Sequence, residues 1–195
     1  MKLPEIIGIA GTNGSGKDAL GYIRQSLAKS LTVSLSDILR HELDKKGISH
    51  ERENLRSLSA EWRATEGPGV LAVRTIEQYH EQKEARNLTG LSIVSLRHPA
   101  EAQAIKDAGG MVIWVDADIR VRYERITHRG EGRAEDQKTF EEFSAEEKAE
   151  MSPEGNNEGL NMSGVRDLAD IKITNDFESL DEYEKYLVDQ FELAV

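Results

Sequence analysis

The hydrophobic positions of this 195-residue chain follow two alternating rhythms. Short apolar runs at Ile6 to Ala10, Leu31 to Leu35, Leu91 to Leu96, Met111 to Val115 and Asp170 to Thr174 read as five strands. Nearly uninterrupted runs of this kind belong to parallel sheets buried on both faces. Between them, apolar residues recur every three or four positions. Leu20, Ile23 and Leu27 predict a helix over about Gly16 to Lys29, and Ser36 predicts the N-cap of a helix over DILRHELDKKG that Gly47 closes. Leu55, Leu58 and Trp62 share one face of a helix over Glu53 to Glu66. GPG breaks it, and Pro68 starts another helix that runs to about Lys83. Further helices are predicted from Pro99 to Gly109 and Gly110, over DIRVRYERITHRG, near Thr139 to Glu150, and from Leu180 to Phe191. Trp62 and Trp114 read as core.

Strands alternating with helices predict an α/β fold, a parallel sheet with helices on both faces and right-handed crossovers. Ligands in such sheets bind beyond the C-terminal strand ends. Two stretches break the alternation. A helical insertion occupies 49–83. A polar segment over 130–164, rich in Glu, Gly and Asn, is too long for a tight connection and reads as a lid. The core of a single domain then takes 1–48, 84–129 and 165–195.

Composition narrows the function without choosing it. With 38% hydrophobic and 31% charged residues the chain fits a soluble domain, and no apolar run approaches the ~20 residues of a membrane span. The opening MKLPEIIGIAG, with an acid at Glu5, does not have the pattern of a secretory signal. The absence of cysteine excludes disulfides, thiolate metal sites and a cysteine nucleophile, and is compatible with the cytoplasm. A net charge of −11 argues against a nucleic-acid or anionic-membrane partner. It leaves open a small phosphorylated substrate, for which a few converging arginines suffice. The five histidines form no ligand spacing.

The strongest chemical signal is GTNGSGK, directly after the first strand and opening a helix. Gly11, Thr12, Asn13, Gly14, Ser15, Gly16 and Lys17 form a loop whose backbone N–H groups can surround phosphates. The following helix, with Asp18 and Ala19 in its first turn, adds positive potential, and Lys17 reaches the outer phosphates of ATP. The residue after the lysine is usually Ser or Thr, whose hydroxyl binds Mg²⁺; here it is Asp18. Its carboxylate can ligate Mg²⁺ directly or through water, or it can stabilise the helix start. There is no N-K-x-D motif for reading a guanine base.

Together these motifs resemble the nucleoside-monophosphate-kinase branch of P-loop kinases, which includes adenylate kinase, dephospho-CoA kinase and deoxynucleoside-monophosphate kinases. SGKD, SLSDILRHEL, SLRHPAEAQAI, RYERITHRGEGR and ADIKITND occur in the family's order over most of the chain. The resemblance implies a P-loop fold with strand order 2-3-1-4-5, a helical acceptor-binding insertion and a lid. Asp37 and Arg40 would hold the acceptor, with Arg63 and Arg74 as further candidates, and Arg97 would hold the acceptor's phosphate. Arg125 and Arg129 would contact the donor, Asn175 would lie on its nucleobase side, and Arg133 would reach in from the lid. Lys17, Arg97 and Arg129 would be the catalytic cations. SLRHPAE is similar to the family's D-G-x-R-x-P-x-E, and Ser95 is taken as standing at the aspartate that holds the magnesium-bound water. Asp18 or Asp116 would then carry Mg²⁺. The implied activity is ATP-dependent phosphorylation of a nucleoside or deoxynucleoside monophosphate, by a monomer or small homo-oligomer. Dephospho-CoA is the alternative acceptor, and a nucleotide-binding regulator or slow ATPase is the alternative class.

Overall fold

The computed structural model describes residues 1–129, 137–151 and 160–193, with Arg129 by its backbone only. Five strands, β1 (Ile6–Gly11), β2 (Ser30–Ser34), β3 (Gly90–Val94), β4 (Met111–Asp116) and β5 (Ile171–Thr174), form one sheet in the order β2-β3-β1-β4-β5. Every pairing is parallel. The two-residue period of a strand sends alternate side chains to opposite faces. Thus Ile6 and Ala10 of β1, with Val112 and Trp114 of β4, join one core cluster. Ile7 and Ile9, with Ile113 and Val115, join the other. Both faces are buried, which is why these strands are continuously apolar.

On the second face lie α1 (Asp18–Ala28) and α9 (Leu180–Gln190), which contribute Leu20, Tyr183 and Leu187. The first face is covered by α4 (Val70–Arg86), α5 (Pro99–Asp107) and α8 (Met162–Leu168), with Leu71, Tyr79, Ile105 and Val165 among their buried residues. Next to them α2 (Leu35–Lys46) and α3 (Arg52–Glu66) add Leu35, Leu39, Leu43 and Leu58. The remaining helices are α6 (Ile119–Arg129) and α7 (Phe140–Met151). Arg24, buried on α1, ties the layers together by donating to the carbonyls of Pro4, Glu5 and Leu91 and to Ser92 Oγ. Burial lowers its pKa to about 10, so it remains a cation at neutral pH.

The expected sheet order is the observed one, and boundaries differ where burial overrides local signals. Ser36 is not the N-cap of α2: the helix starts at Leu35, with Ser34 before it. The stripe of Leu35, Leu39 and Leu43, spaced by four, is buried, and including Leu35 extends it by a turn. Pro68 precedes α4 by two residues, and Gly69 takes the cap position. Within the expected insertion, α4 is a covering helix of the core, contributing Val70, Leu71, Ile76 and Tyr79. The lid had been expected to run to 164, yet Met162 of α8 is buried in the core. Trp62 is only partly buried, whereas Trp114 is core as expected. Among the described residues, no helix is long and apolar enough to cross a membrane.

Candidate functional site: a phosphate loop facing an arginine-lined cleft

The loop between β1 and α1 is held open by contacts that glycine alone permits. A Cβ on Gly11 would stand 2.0 Å from the carbonyl oxygen of Val115, and one on Gly16, which has φ +81°, would stand 2.6 Å from Asn175 Nδ2. Those neighbours are also the loop's supports. Asn175, just after β5, donates from Nδ2 to the carbonyl of Ser15 at 2.9 Å. Thr12 Oγ1 donates to Asp116 Oδ1 at 2.6 Å, and Ala117 N–H donates to the same oxygen at 2.9 Å. Strand-end residues of β4 and β5 therefore fix the loop against the sheet.

Buried polar atoms are almost always partnered in folded proteins. Among the described residues seven buried side-chain N or O atoms are not, and five of these surround the loop. They are Asn13 Nδ2, Ser15 Oγ, Asp18 Oδ1, Asn175 Oδ1 and Arg125 Nη1. Such a concentration of donors and acceptors suits a polar, charged ligand. Asp18 Oδ2 lies 3.9 Å from Lys17 Nζ, and Asp18 lines the cleft described below. A buried carboxylate oxygen beside the loop lysine fits a magnesium ion, which takes one or two carboxylates and keeps water and phosphate oxygens as its other ligands. Asp116 fits less well. Its Oδ1 is committed to Thr12 and Ala117, Arg122 Nε lies 3.4 Å from it, and Asp116 lines neither cavity at the loop.

From Gly14, Gly16, Lys17 and Asp18 a cleft of about 1010 Å³ runs to α2 and α3. Its charged walls include Asp37, Arg40, Arg52, Arg56, Arg63, Arg97 and Arg125. Arg40 Nη1 donates to Asp37 Oδ1 at 2.6 Å, so this expected pair exists and faces the cleft. Arg97 sits between β3 and α5 with its backbone fixed at both ends. Its N–H donates to Glu101 Oε2 at 2.8 Å, and its carbonyl accepts from Asn161 N–H at 2.9 Å. Glu101 also accepts from His98 N–H, while His98 Nδ1 accepts from Ala100 N–H, which closes a capping box at the start of α5.

Two expectations for arginines, Arg63 and Arg74, change. Arg63 lines the cleft, but its fork is spent on structure: Nη2 donates to Glu101 Oε1 at 3.0 Å and Nη1 to Ser59 Oγ, with Arg63 and Glu101 side chains only 3% and 1% exposed. Arg74 does not line the cleft. It pairs with Glu66 and stacks 4.8 Å from the Trp62 ring centroid. Arg125 reaches the loop region, donating to the carbonyls of Asn175 and Phe177 and so bracing the donor side. The side chain of Arg129, and all of Arg133, lie outside the described residues.

Ser95 also changes its reading. It has φ +67°, the left-handed conformation that glycine favours. In D-G-x-R, counting back from Arg97, Ser95 falls on the glycine and Val94 on the aspartate. Val94 is buried and apolar, so neither position supplies an acid.

Five residues the motifs do not single out stand beside the loop and cleft. Arg122, 3% exposed on α6, donates to the carbonyls of Ala117 and Asn13 and forms a two-pronged pair with Glu147. Arg52 and Arg56, one turn apart on α3, both donate to Glu150 of α7, as does Arg97. The four-residue spacing of Arg52 and Arg56 was visible in the sequence. Their target was not. Burial tends to raise the Glu150 carboxyl, but the charges of Arg97 and Arg52 outweigh it and hold the pKa at about 2.

The sheet order, the strand–loop–helix phosphate cradle and the flanking cleft together define a protein with the P-loop kinase fold. Solved structures agree. The structure of TT1252 from Thermus thermophilus matches all of both chains with TM-score 0.55 and 17% identity. Shikimate kinase from Bacteroides thetaiotaomicron matches 96% of this chain and 97% of its own with TM-score 0.56 and 14% identity. Shikimate kinase from Acinetobacter baumannii, in complex with shikimate, matches with TM-score 0.54, also at 14% identity. At such identities the likeness is one of fold. No protein-family model matches the chain. Sequence relatives are nearer. A UPF0200 protein of Pyrococcus horikoshii is 31% identical over 176 residues, 87% of each chain. Another, of Hyperthermus butylicus, is 33% identical over 180 residues, 92% of this chain and 89% of its own. The chain belongs to the UPF0200 family.

Proposed function

We propose that this protein is an ATP-dependent small-molecule kinase whose acceptor is a nucleoside or deoxynucleoside monophosphate. The observation that carries this reading is the continuity of one cleft from Lys17 to Arg40 and Arg97. A donor phosphate in the loop and an acceptor phosphate on the arginines would share a single space. An acceptor oxygen attacks the γ-phosphorus, the bond to the β–γ bridging oxygen breaks, and ADP leaves. Such transfers need little covalent chemistry from the protein; positioning and charge neutralisation suffice. Lys17 and the loop N–H groups neutralise the phosphates, and Arg97, clamped at both ends of its backbone, orients the acceptor. Asp18 would hold Mg²⁺, which would supply neutralisation of phosphate charge.

No acid stands at 94 or 95, and the candidate acceptors differ in whether a proton must be removed. A monophosphate oxygen is already ionised at neutral pH. The hydroxyl of dephospho-CoA would require a base, and Asp37, Glu101 and Glu150 are each tied to arginine. The same missing acid also suits a nucleotide-binding regulator or slow ATPase. A screen of nucleoside monophosphates and dephospho-CoA with ATP and Mg²⁺ separates these readings. Transfer to a monophosphate well above background hydrolysis is the expected result. Tight ATP binding without acceptor-stimulated turnover would sink the kinase. Replacing Arg97 with Ala should raise the acceptor KM by about tenfold or more while ATP affinity barely moves, since it removes one charged fork; equal losses would refute its assignment to the acceptor.

A further inference from the structure

Glu150 is surrounded in a way that its own helix does not require. Its Oε1 accepts from Arg52 Nη1 at 3.0 Å and from Arg56 Nη2 at 3.2 Å, and its Oε2 accepts from Arg97 Nη1 at 2.5 Å. Glu146 shares Arg52 and also pairs with Lys138. The Glu150 side chain is 11% exposed, whereas those of Arg52, Arg56 and Arg97 retain 26%, 47% and 31%. The three guanidinium groups therefore remain partly open to the cleft they line, around one buried carboxylate.

α7 has attachments besides this carboxylate. Phe143 is buried and packs on Tyr123 with ring centroids 5.8 Å apart. Glu147 forms its own two-pronged pair with Arg122 beside the phosphate loop. Between α7 and the loop residues Gly11, Thr12 and Lys17 only about 20 Å³ remains, room for about one water.

Three guanidinium groups converging on Glu150 carry more positive charge than its one carboxylate balances. A carboxylate offers two oxygens and one charge; a phosphomonoester offers three oxygens and nearly two charges at neutral pH. We infer that Arg52, Arg56 and Arg97 form one subsite for a phosphoryl group, and that Glu150 is its built-in occupant, which an incoming phosphate must displace. The inference rests on the kinase reading for the identity of the phosphate as the acceptor's, but the subsite and its occupant can be tested without turnover. A low pKa is consistent with this role, because Glu150 stays ionised throughout the physiological range and competes as an anion at every working pH.

The experiment is a double-mutant cycle read by calorimetric titration of the full chain with inorganic phosphate. Phosphate bound in the loop contributes equally to all four proteins and cancels. Glu150→Gln should tighten phosphate binding roughly tenfold, because the competent, unoccupied state becomes the common one. Arg56→Ala should weaken it, and the gain from Glu150→Gln should shrink in the Arg56→Ala background. Circular dichroism of Glu150→Gln should match the parent, since Phe143 and Glu147 still hold α7. Glu146→Gln, which releases Arg52 but neither Arg56 nor Arg97, should have a smaller effect than Glu150→Gln. An unchanged or weaker phosphate affinity in Glu150→Gln overturns the inference, as does an equal gain in both backgrounds. If the cycle behaves as expected and no monophosphate is phosphorylated, the kinase reading fails and the phosphoryl subsite stands. If acceptor turnover is found without the cycle's coupling, the reverse holds.

Discussion

Lys17 and Asp18 show how much a single position can be read before any fold is known. Lys17 ends a glycine spacing of the kind that wraps backbone N–H groups around phosphates, and Asp18 follows it where Ser or Thr is usual. Lys17→Ala should lower ATP-dependent turnover by at least about a hundredfold, the usual scale for losing a preorganised charge at a transferring group. The melting temperature should be retained; normal turnover in that variant would remove the loop from the mechanism. Asp18→Asn tests the metal assignment. The Mg²⁺ concentration for half-maximal turnover should rise, because a charged ligand has been lost. An unchanged Mg²⁺ dependence would reduce Asp18 to a stabiliser of the first turn of α1. Arg63 and Arg74 were less legible. The sequence displays an arginine on a helix but not the carboxylate it meets, here Glu101 and Glu66.

At the scale of elements, the β3–α5 junction positions Arg97 against the cleft. Glu101 joins three tasks there: it caps α5, fixes the N–H of Arg97, and neutralises buried Arg63. Breaking one half of a buried pair leaves an uncompensated charge, which typically costs about 3–5 kcal/mol. Glu101→Gln should therefore lower the unfolding free energy by that order, measured by denaturant titration. Arg63→Met added to it should recover part of the loss. A null effect would mean that the pair is dispensable to α3 and α5. The elements themselves were largely foreseen, because their periods are local properties. The short helix α8 was missed for the same reason: seven residues with two buried positions are too few to display a 3.6-residue repeat. The start of α2 was misplaced because Ser36 has the chemistry of a cap, while burial of Leu35 decides where the helix begins.

Across the whole molecule, α7 links distant parts of the chain through charge. Glu150 reaches Arg97 across 53 positions and Arg56 across 94. Its folded carboxyl, at about 2, lies below the ordinary 4.5. A depressed carboxyl stabilises the folded state above its unfolded pKa and loses that contribution as pH falls towards the folded value. The Glu150 contribution should thus be complete above about pH 4.5 and vanish towards about pH 2, amounting to about 2 kcal/mol after allowance for partial exposure of the arginines. Unfolding measured over that range should show a flatter acid limb in Glu150→Gln than in the parent. Identical slopes would mean that another carboxylate dominates the acid response.

By itself the sequence determined the parallel α/β architecture, its strand order through family resemblance, and the phosphate loop from Gly11 to Lys17. Those features are written in nearest-neighbour terms: alternation, helical spacing, and glycine where the backbone must bend. Tertiary structure decided which charges meet. It tied Arg63 to Glu101 and Arg122 to Glu147, and set Glu150 among the cleft arginines Arg52, Arg56 and Arg97. An ion pair depends on the through-space position of both partners, and only the packed sheet and its helices establish that position.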